Sequence, residues 1–246
     1  MKILGIIPSR YGSTRFPAKA LADIDGKSMI RRVYEQALQS EFLNKVIVAT
    51  DHELILKEVK SFKGEVCMTS SNHQSGTDRC QEAQMMEDDV FDYIINIQGD
   101  EPFIAPSQID KLASCLTNNT QLATLIKKIE DPEQLFNPNI VKVVKSKGNE
   151  ALYFSREAIP YLRHDTKVNW LKEHNYYKHI GIYGYHTDIL KQITNLSLSS
   201  LEKAESLEQL RWLENGYKIK VAETDIESIG IDTPEDLAKA MKKLKI

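Results

Sequence analysis

The chain opens on an apolar run, Ile3, Leu4, Ile6 and Ile7, that stops at Pro8, and comparable short runs recur behind it. Lys45–Thr50, Glu65–Thr69, Tyr93–Gln98 and a stretch near Ala123–Ile129 are brief and rich in β-branched residues. Apolar runs of this kind are the pattern of strands covered on both faces of a parallel sheet. Between them the apolar positions change period. In Met29–Leu38, Ile30, Val33, Tyr34, Ala37 and Leu38 recur at helical spacing. Helices are also expected over Glu53–Phe62, from about Thr77, and near Ser107–Leu116. The alternation predicts an α/β fold: an open, mostly parallel twisted sheet with helices on both faces.

The rhythm changes after Ile140. Val141–Val144 and Ala151–Ser155 flank Lys145-Ser146-Lys147-Gly148-Asn149, which reads as a β-hairpin with a glycine turn and gives the fold a mixed β extension. His164–Tyr177 is polar and aromatic and reads as a loop or insertion. Ile180–Tyr185 reads as a strand. Leu201–Glu214, with Leu207, Leu210 and Leu213 on one face, reads as one amphipathic helix. Lys218–Ala222 is a late strand, and Pro234 starts a last helix with Thr233 as N-cap. No Pro/Gly/Ser-rich linker interrupts the 246 residues, so a single domain is expected.

Charge sharpens this picture. The formal net charge is −3, from 32 basic and 35 acidic residues, so no global attraction to nucleic acid or acidic membranes is expected. Anion binding must come from local placement, and the loop after the first strand supplies it: Arg10, Arg15 and Lys19 lie among Gly12, Ser13 and Thr14. Small residues let backbone N–H groups approach phosphate oxygens, and cations neutralise them, at the sheet edge where open α/β folds bind ligands. A solvated surface loop is the plainer alternative. Neither G-x-x-x-x-G-K-[ST] nor G-x-G-x-x-G occurs, which argues against a P-loop ATPase and a standard dinucleotide-binding dehydrogenase. Cys67, Cys80 and Cys115 are odd in number and form no C-x-x-C, as expected of reduced thiols. No apolar segment nears the roughly 18 residues that span a bilayer, and the N-terminus opens on strand residues without a signal-peptide pattern. A soluble cytoplasmic protein is the expectation.

Three further segments carry chemistry. Asn96-Ile97-Gln98-Gly99-Asp100-Glu101-Pro102 sets carboxylates directly behind a buried strand, where Asp100 is placed to ligate Mg²⁺ or merely to end the strand in a turn. Gly230-Ile231-Asp232-Thr233-Pro234 sets Asp232 before a helix, as a cap or as a partner of Asp100 across the sheet. Met68-Thr69-Ser70 and His73-Gln74-Ser75-Gly76-Thr77-Asp78-Arg79 offer hydroxyls and a glycine ahead of a helix, suited to gripping a base or ribose, or to capping the helix alone.

Together with IIPSRYGSTRFPAK, VIVATDHE, EVCMTSSNHQSGTDR, NIQGDEP, FNPNIVKVV, ALYFSREAIP, HIGIYGY, SLEQLRWLENG and GIDTPEDL, these segments span nearly the whole chain. In this order they resemble the 3-deoxy-manno-octulosonate (Kdo) cytidylyltransferases. The resemblance implies transfer of a cytidylyl group from CTP to Kdo, giving CMP-Kdo and pyrophosphate for lipopolysaccharide synthesis, in a homodimer that uses Mg²⁺. It implies nucleotide contacts from Arg10, Ser13, Arg15, Lys19, Ser75 and Gln98, and Mg²⁺ ligation by Asp100 and Asp232, which with Lys19 form the catalytic set. Sugar contacts are implied for Arg156, His179, Tyr185, Glu208 and Gln209, Arg156 meeting the sugar-acid carboxylate. Residues 1–135 would then be mainly nucleotide-binding, 136–215 mainly a sugar-binding and dimerisation extension, and 216–246 the return to the main sheet. Two rival readings are an enzyme for another sugar acid, such as sialic acid or 8-amino Kdo, and a nucleotide-sugar-binding module without catalysis. Locally, Pro17-Ala18-Lys19 replaces a common family Pro-Gly-Lys, and Ala20 stands where proline is frequent. If the position of Ala18 requires φ > 0, alanine costs roughly 1 kcal/mol there.

Overall fold

A computed structural model of the chain describes residues 1–12, 15–227 and 229–244. Strand β1 (Ile3–Ser9) leads to a two-residue antiparallel pair, β2 (Asp23–Ile24) and β3 (Lys27–Ser28), and then to α1 (Met29–Ala37). Next come β4 (Lys45–Thr50), α2 (Glu53–Ser61), β5 (Val66–Met68), α3 (Gly76–Met85), β6 (Tyr93–Asn96) and α4 (Pro106–Ala113). Then follow β7 (Leu122–Lys128), α5 (Pro132–Phe136), the β8 (Lys142–Lys145) and β9 (Ala151–Ser155) hairpin, and α6 (Trp170–Glu173). The chain continues through β10 (Tyr177–His186), α7 (Thr187–Ile193), α8 (Ser200–Glu205), α9 (Glu208–Glu214), β11 (Ile219–Glu223) and α10 (Pro234–Leu244).

The main sheet has the order β11-β7-β10-β6-β1-β4-β5, with the β8–β9 hairpin attached to β10. Every neighbouring pair along this order is parallel except the two made by β10. The fold is therefore the expected mixed, mostly parallel α/β sheet. Alternation along each strand feeds two cores. Ile3, Ile7, Val46, Val48 and Ile95 face α1, α2 and α4. Leu4, Ile6, Ile47, Ala49 and Ile94 face α3, α7 and α9. Burial on both sides explains why these strands read as continuous apolar runs.

Four local expectations are corrected. First, β1 does not stop at Pro8 but runs through it to Ser9. Ile6 O accepts from Ile97 N, so Pro8, two residues on, aims its missing N–H toward β6 where that ladder has already ended. Second, the hairpin's left-handed turn residue is Asn149 (φ 58°), not Gly148. Third, His164–Tyr177 is not plain loop. It contains α6 and a short 3₁₀ turn, because Trp170 and Tyr176 stack at 5.9 Å in a small core with Ile129 and Leu135.

Fourth, Leu201–Glu214 is two helices. Ser206 takes a left-handed conformation (φ 52°) between α8 and α9. Arg156 accounts for the break: its Nε donates to Glu205 O at 2.7 Å and its Nη2 to Ser206 O at 3.3 Å. A guanidinium thus satisfies carbonyls that the end of α8 leaves open. The stretch expected as an extension also contributes β10 to the middle of the main sheet.

Lys142 anchors the hairpin. Its side chain is fully buried, and its ammonium donates to the carbonyls of Asn137, Ile140 and Arg156. Desolvation lowers its pKa below the ordinary lysine value. Lys142→Ala strips three half-buried acceptors of their donor and leaves a cavity. Urea denaturation should show a loss of roughly 3 kcal/mol.

Candidate active site

The C-terminal ends of β1 and β6 and the N-terminus of α3 enclose a cleft of about 330 Å³. Arg10, Arg15, Lys19, Ser75, Gln98, Asp100 and Asp232 all line it. Ser13, the remaining expected nucleotide contact, lies outside the described residues.

Each element places its residue for a local reason. Ser75 caps α3 in a reciprocal box with Asp78. Gly99 allows the turn after β6 to cross β1, since a Cβ there would lie 2.8 Å from Pro8 O. Thr233 and Asp236 form the same kind of reciprocal box ahead of α10, as the expected N-cap required. Ile231 N donates to Asp100 O at 2.9 Å, which pins the approach to α10 against the β6 turn. Ile231 is buried with Ile24, Met29 and Ala240, so apolar packing holds that approach in place.

Asp100 and Asp232, 132 positions apart in the sequence, consequently meet. Lys19 Nζ lies 2.8 Å from Asp100 Oδ2 and 3.1 Å from Asp232 Oδ1. Arg15 Nη2 adds a contact of 3.0 Å to Asp232 Oδ2. Lys19 follows Ala18, which does take a left-handed conformation (φ 54°, ψ 27°). The alanine therefore carries a strain of roughly 1 kcal/mol that glycine would not. The donor set is two carboxylates and no softer ligand, and no group of three or more His, Cys, Asp or Glu is arranged for an ion among the described residues. This fits a hard cation such as Mg²⁺, which is commonly held by one or two carboxylates together with substrate phosphates.

A buried cation that sequence reasoning passed over borders the same cleft. Arg79 is 3% exposed and donates to Asp51 at 2.8 Å and to Thr69 Oγ1. Its signal was present in SGTDR, where an arginine falls on the first turns of a capped helix. Covalent cysteine chemistry is disfavoured: burial pushes the Cys67 thiol up to about 11 and raises that of Cys80 as well.

None of the five expected sugar contacts lines the cleft: His179, Tyr185, Glu208 and Gln209 lie on the α3/α9 side of the sheet and Arg156 at the break between α8 and α9. Thr77 links two of them, its Oγ1 lying 2.8 Å from Glu208 Oε2 and 3.3 Å from the Tyr185 hydroxyl. Asn96 Nδ2 donates to that hydroxyl at 3.3 Å, and Asn96 Oδ1 accepts from Gln98 Nε2 at 3.4 Å. One chain of hydrogen bonds thus connects Glu208 to the cleft wall. Burial raises the Glu208 pKa, against the lowering pull of the Thr77 and Ser75 hydroxyls and the Arg211 guanidinium.

Arg156 is placed differently from the expectation of a free fork: three of its nitrogens already donate to backbone carbonyls, of Glu205, Pro138 and Ser206. Two of its five N–H groups remain. Tyr183, also absent from the expected set, is buried beside Tyr185, and its hydroxyl has no hydrogen-bond partner among the described residues. The same is true of Gln209 Nε2 and Trp212 Nε1. The Tyr183 and Trp212 rings are 5.1 Å apart, and Gln209 and Trp212 share a face of α9. Alternation in IGIYGY puts both tyrosines on one sheet face, so only the hydrogen bonds distinguish them.

The chain matches the cytidylyltransferase family over residues 4–220. A 3-deoxy-manno-octulosonate cytidylyltransferase of Parabacteroides distasonis is 57% identical, with 98% of this chain and 97% of the relative aligned. The chain belongs to the 3-deoxy-manno-octulosonate cytidylyltransferase family. A relative of that name from Thermodesulfovibrio yellowstonii is 50% identical over 99% of this chain and 98% of its own length. A solved CMP:2-keto-3-deoxy-manno-octonic acid synthetase complexed with CTP is 40% identical, covers 100% of both chains, and superposes with a TM-score of 0.92. A 4-diphosphocytidyl-2C-methyl-D-erythritol synthase from Anaerococcus prevotii, at 12% identity and a TM-score of 0.63 over 100% of this chain and 99% of its own, shares the fold alone. No helix among the described residues is long and apolar enough to cross a membrane.

His179 packs into the aromatic group on this face of the sheet. Its Nε2 is 2.9 Å from Thr124 Oγ1, and its ring lies 5.3 Å from Phe154 and 5.2 Å from Tyr183. Burial lowers its pKa from 6.5 to about 4. The folded protein therefore binds fewer protons here than the unfolded chain between those values, and stability present above pH 6.5 is lost as pH falls toward 4. The residue as a whole is half-buried, so the loss should be about 1–3 kcal/mol. Urea denaturation at pH 7 and pH 4.5 should show it in the wild type, and a smaller loss in His179→Gln.

Proposed function

We propose that the protein transfers the cytidylyl group of CTP to 3-deoxy-D-manno-octulosonate, releasing pyrophosphate and giving CMP-Kdo for lipopolysaccharide biosynthesis. The meeting of Asp100 and Asp232 at a cation-lined cleft supports this reading most directly, in a chain of this family. Three free thiols accord with a cytoplasmic setting.

In this reading the cleft takes the nucleotide, with Arg10, Arg15 and Lys19 neutralising its phosphates and Ser75 and Gln98 holding the nucleoside end. Asp100 and Asp232 would hold Mg²⁺, whose charge would lower the barrier to attack at the α-phosphorus. The sugar's anomeric hydroxyl attacks that phosphorus in line and gives up its proton to water. The new O–P bond forms as the bond to the bridging oxygen breaks, and the electron pair leaves with pyrophosphate. Positioning and charge neutralisation supply the catalysis, and no covalent enzyme intermediate is needed. Glu208 and Tyr185 orient the sugar through the network that reaches Gln98. His179, neutral at pH 7, serves as an uncharged hydrogen-bonding group. The unpartnered Tyr183 hydroxyl and Gln209 amide are added as sugar donors, because a buried donor without an acceptor costs about 1–3 kcal/mol. Arg156 meets the sugar carboxylate with its two remaining N–H groups.

The protein acts as a homodimer, through the extension, where β9 is an edge strand and Leu152, Tyr161 and Val168 are 62%, 71% and 82% exposed. Sedimentation should return twice the 28.1 kDa chain mass; a monomer at micromolar concentration would refute the dimer.

Incubation with CTP, Mg²⁺ and Kdo should yield CMP-Kdo by mass spectrometry and stoichiometric pyrophosphate. CTP binding without turnover on Kdo, sialic acid or 8-amino Kdo would instead leave a binding module. Asp100→Asn should lower kcat by about 100-fold or more with the fold intact. Near-normal kcat at saturating Mg²⁺ would remove Asp100 from the chemistry.

A further inference from the structure

The carboxylates of Asp100 and Asp232 are already neutralised by the chain itself. One ammonium, that of Lys19, touches both, and the Arg15 guanidinium touches the free oxygen of Asp232. Two cations therefore stand against two carboxylates. The Lys19 side chain is only 17% exposed, so solvent screens its contacts less than those of an open surface pair. Arg10 faces the same cleft and adds positive potential, whereas the Arg79 charge is taken up by Asp51. A free divalent cation approaching this place meets a neutralised pair and a cationic wall. It must also shed water, which Mg²⁺ does reluctantly.

We infer that Lys19 is a built-in counter-ion that closes the Asp100–Asp232 pair to free divalent cations, and that a bound nucleoside triphosphate opens it by drawing Lys19 and Arg15 onto its phosphate oxygens. The inference rests on the metal-holding role proposed above for the two aspartates. The chemistry of the groups favours the exchange. An ammonium on a four-carbon stem can turn from one acceptor to another without moving the backbone. The triphosphate is the stronger competitor for it, being more highly charged than either carboxylate. Once the ammonium has turned, the two carboxylates are left adjacent and unneutralised beside new phosphate oxygens, the ligand set a hard cation requires. Loading is then ordered, nucleotide before or together with the cation. When pyrophosphate departs, the ammonium returns to the carboxylates and displaces the cation. A lysine that served only as a phosphate ligand would leave the nucleotide-free affinity for cations untouched, which makes the two roles separable.

Mn²⁺ binding to the full chain, followed by electron paramagnetic resonance with and without the α,β-methylene analogue of CTP, tests this. Wild type should bind Mn²⁺ poorly alone and well with the analogue. Lys19→Met, of similar length and no charge, should bind Mn²⁺ without nucleotide about 10-fold tighter than wild type or better, and Lys19→Met/Asp100→Asn should lose that gain. Arg15→Gln, a change at a 67% exposed side chain, should show a smaller gain in the same direction and serves if Lys19→Met does not fold. Nucleotide-free affinity unchanged in whichever of these variants folds overturns the inference. If Asp100→Asn does not weaken Mn²⁺ binding in the presence of the analogue, the metal-holding role itself falls, and the inference with it. If Asp100→Asn does weaken it but Lys19→Met gains nothing, the counter-ion role alone falls.

Discussion

One ammonium group ties together three parts of the chain that are remote in sequence. Lys19 comes from the loop after β1, Asp100 from the turn after β6, and Asp232 from the approach to α10. The buried partner is the ammonium, 17% exposed, and the two carboxylates supply the opposite charge it needs there. The backbone reinforces the arrangement, with Ile231 N on Asp100 O and Ile231 packed against Ile24 and Met29. The last helix is thereby fastened to the first loop, and the cleft is built from both ends of the chain.

The two faces of the sheet divide the remaining work. The loops at the strand ends present cations and small residues toward the cleft, whereas the α3/α9 face holds aromatic rings and buried polar groups. Thr77 and Asn96 join these regions, since each is buried and each bonds to Tyr185. Through Gln98 the hydrogen-bonded chain from Glu208 reaches the wall of the cleft. The buried donors of Tyr183, Gln209 and Trp212 are the unfinished part of this face, and they mark where a polar ligand would be welcomed.

Much of the fold was legible because both faces of β1, β4 and β6 are covered, which produces long apolar runs that no surface strand shows. The convergence of Asp100 and Asp232 was legible only as a possibility of topology, since each follows a buried strand or precedes a helix near the same sheet edge. What escaped the sequence were effects of distant partners. The break at Ser206 depends on Arg156, fifty positions away. The order in His164–Tyr177 depends on the stacking of Trp170 against Tyr176. Pro8 persists inside β1 because its neighbouring ladder has ended. Tyr183 was missed for a different reason: alternation gives a tyrosine's face, and only the hydrogen bonds around it reveal that its hydroxyl is unused.

The position of β10 constrains how this molecule is made. It is the antiparallel member of an otherwise parallel main sheet, inserted between β6 and β7, yet it lies at residues 177–186. On a ribosome, β6 and β7 emerge long before the strand that must join them. Until about three-quarters of the chain has appeared, each presents an unpaired edge, which is a template for pairing with other chains. Such non-local closure slows folding, so a shortened product ending before β10 would be a poor folder and prone to aggregation despite containing most of the cleft.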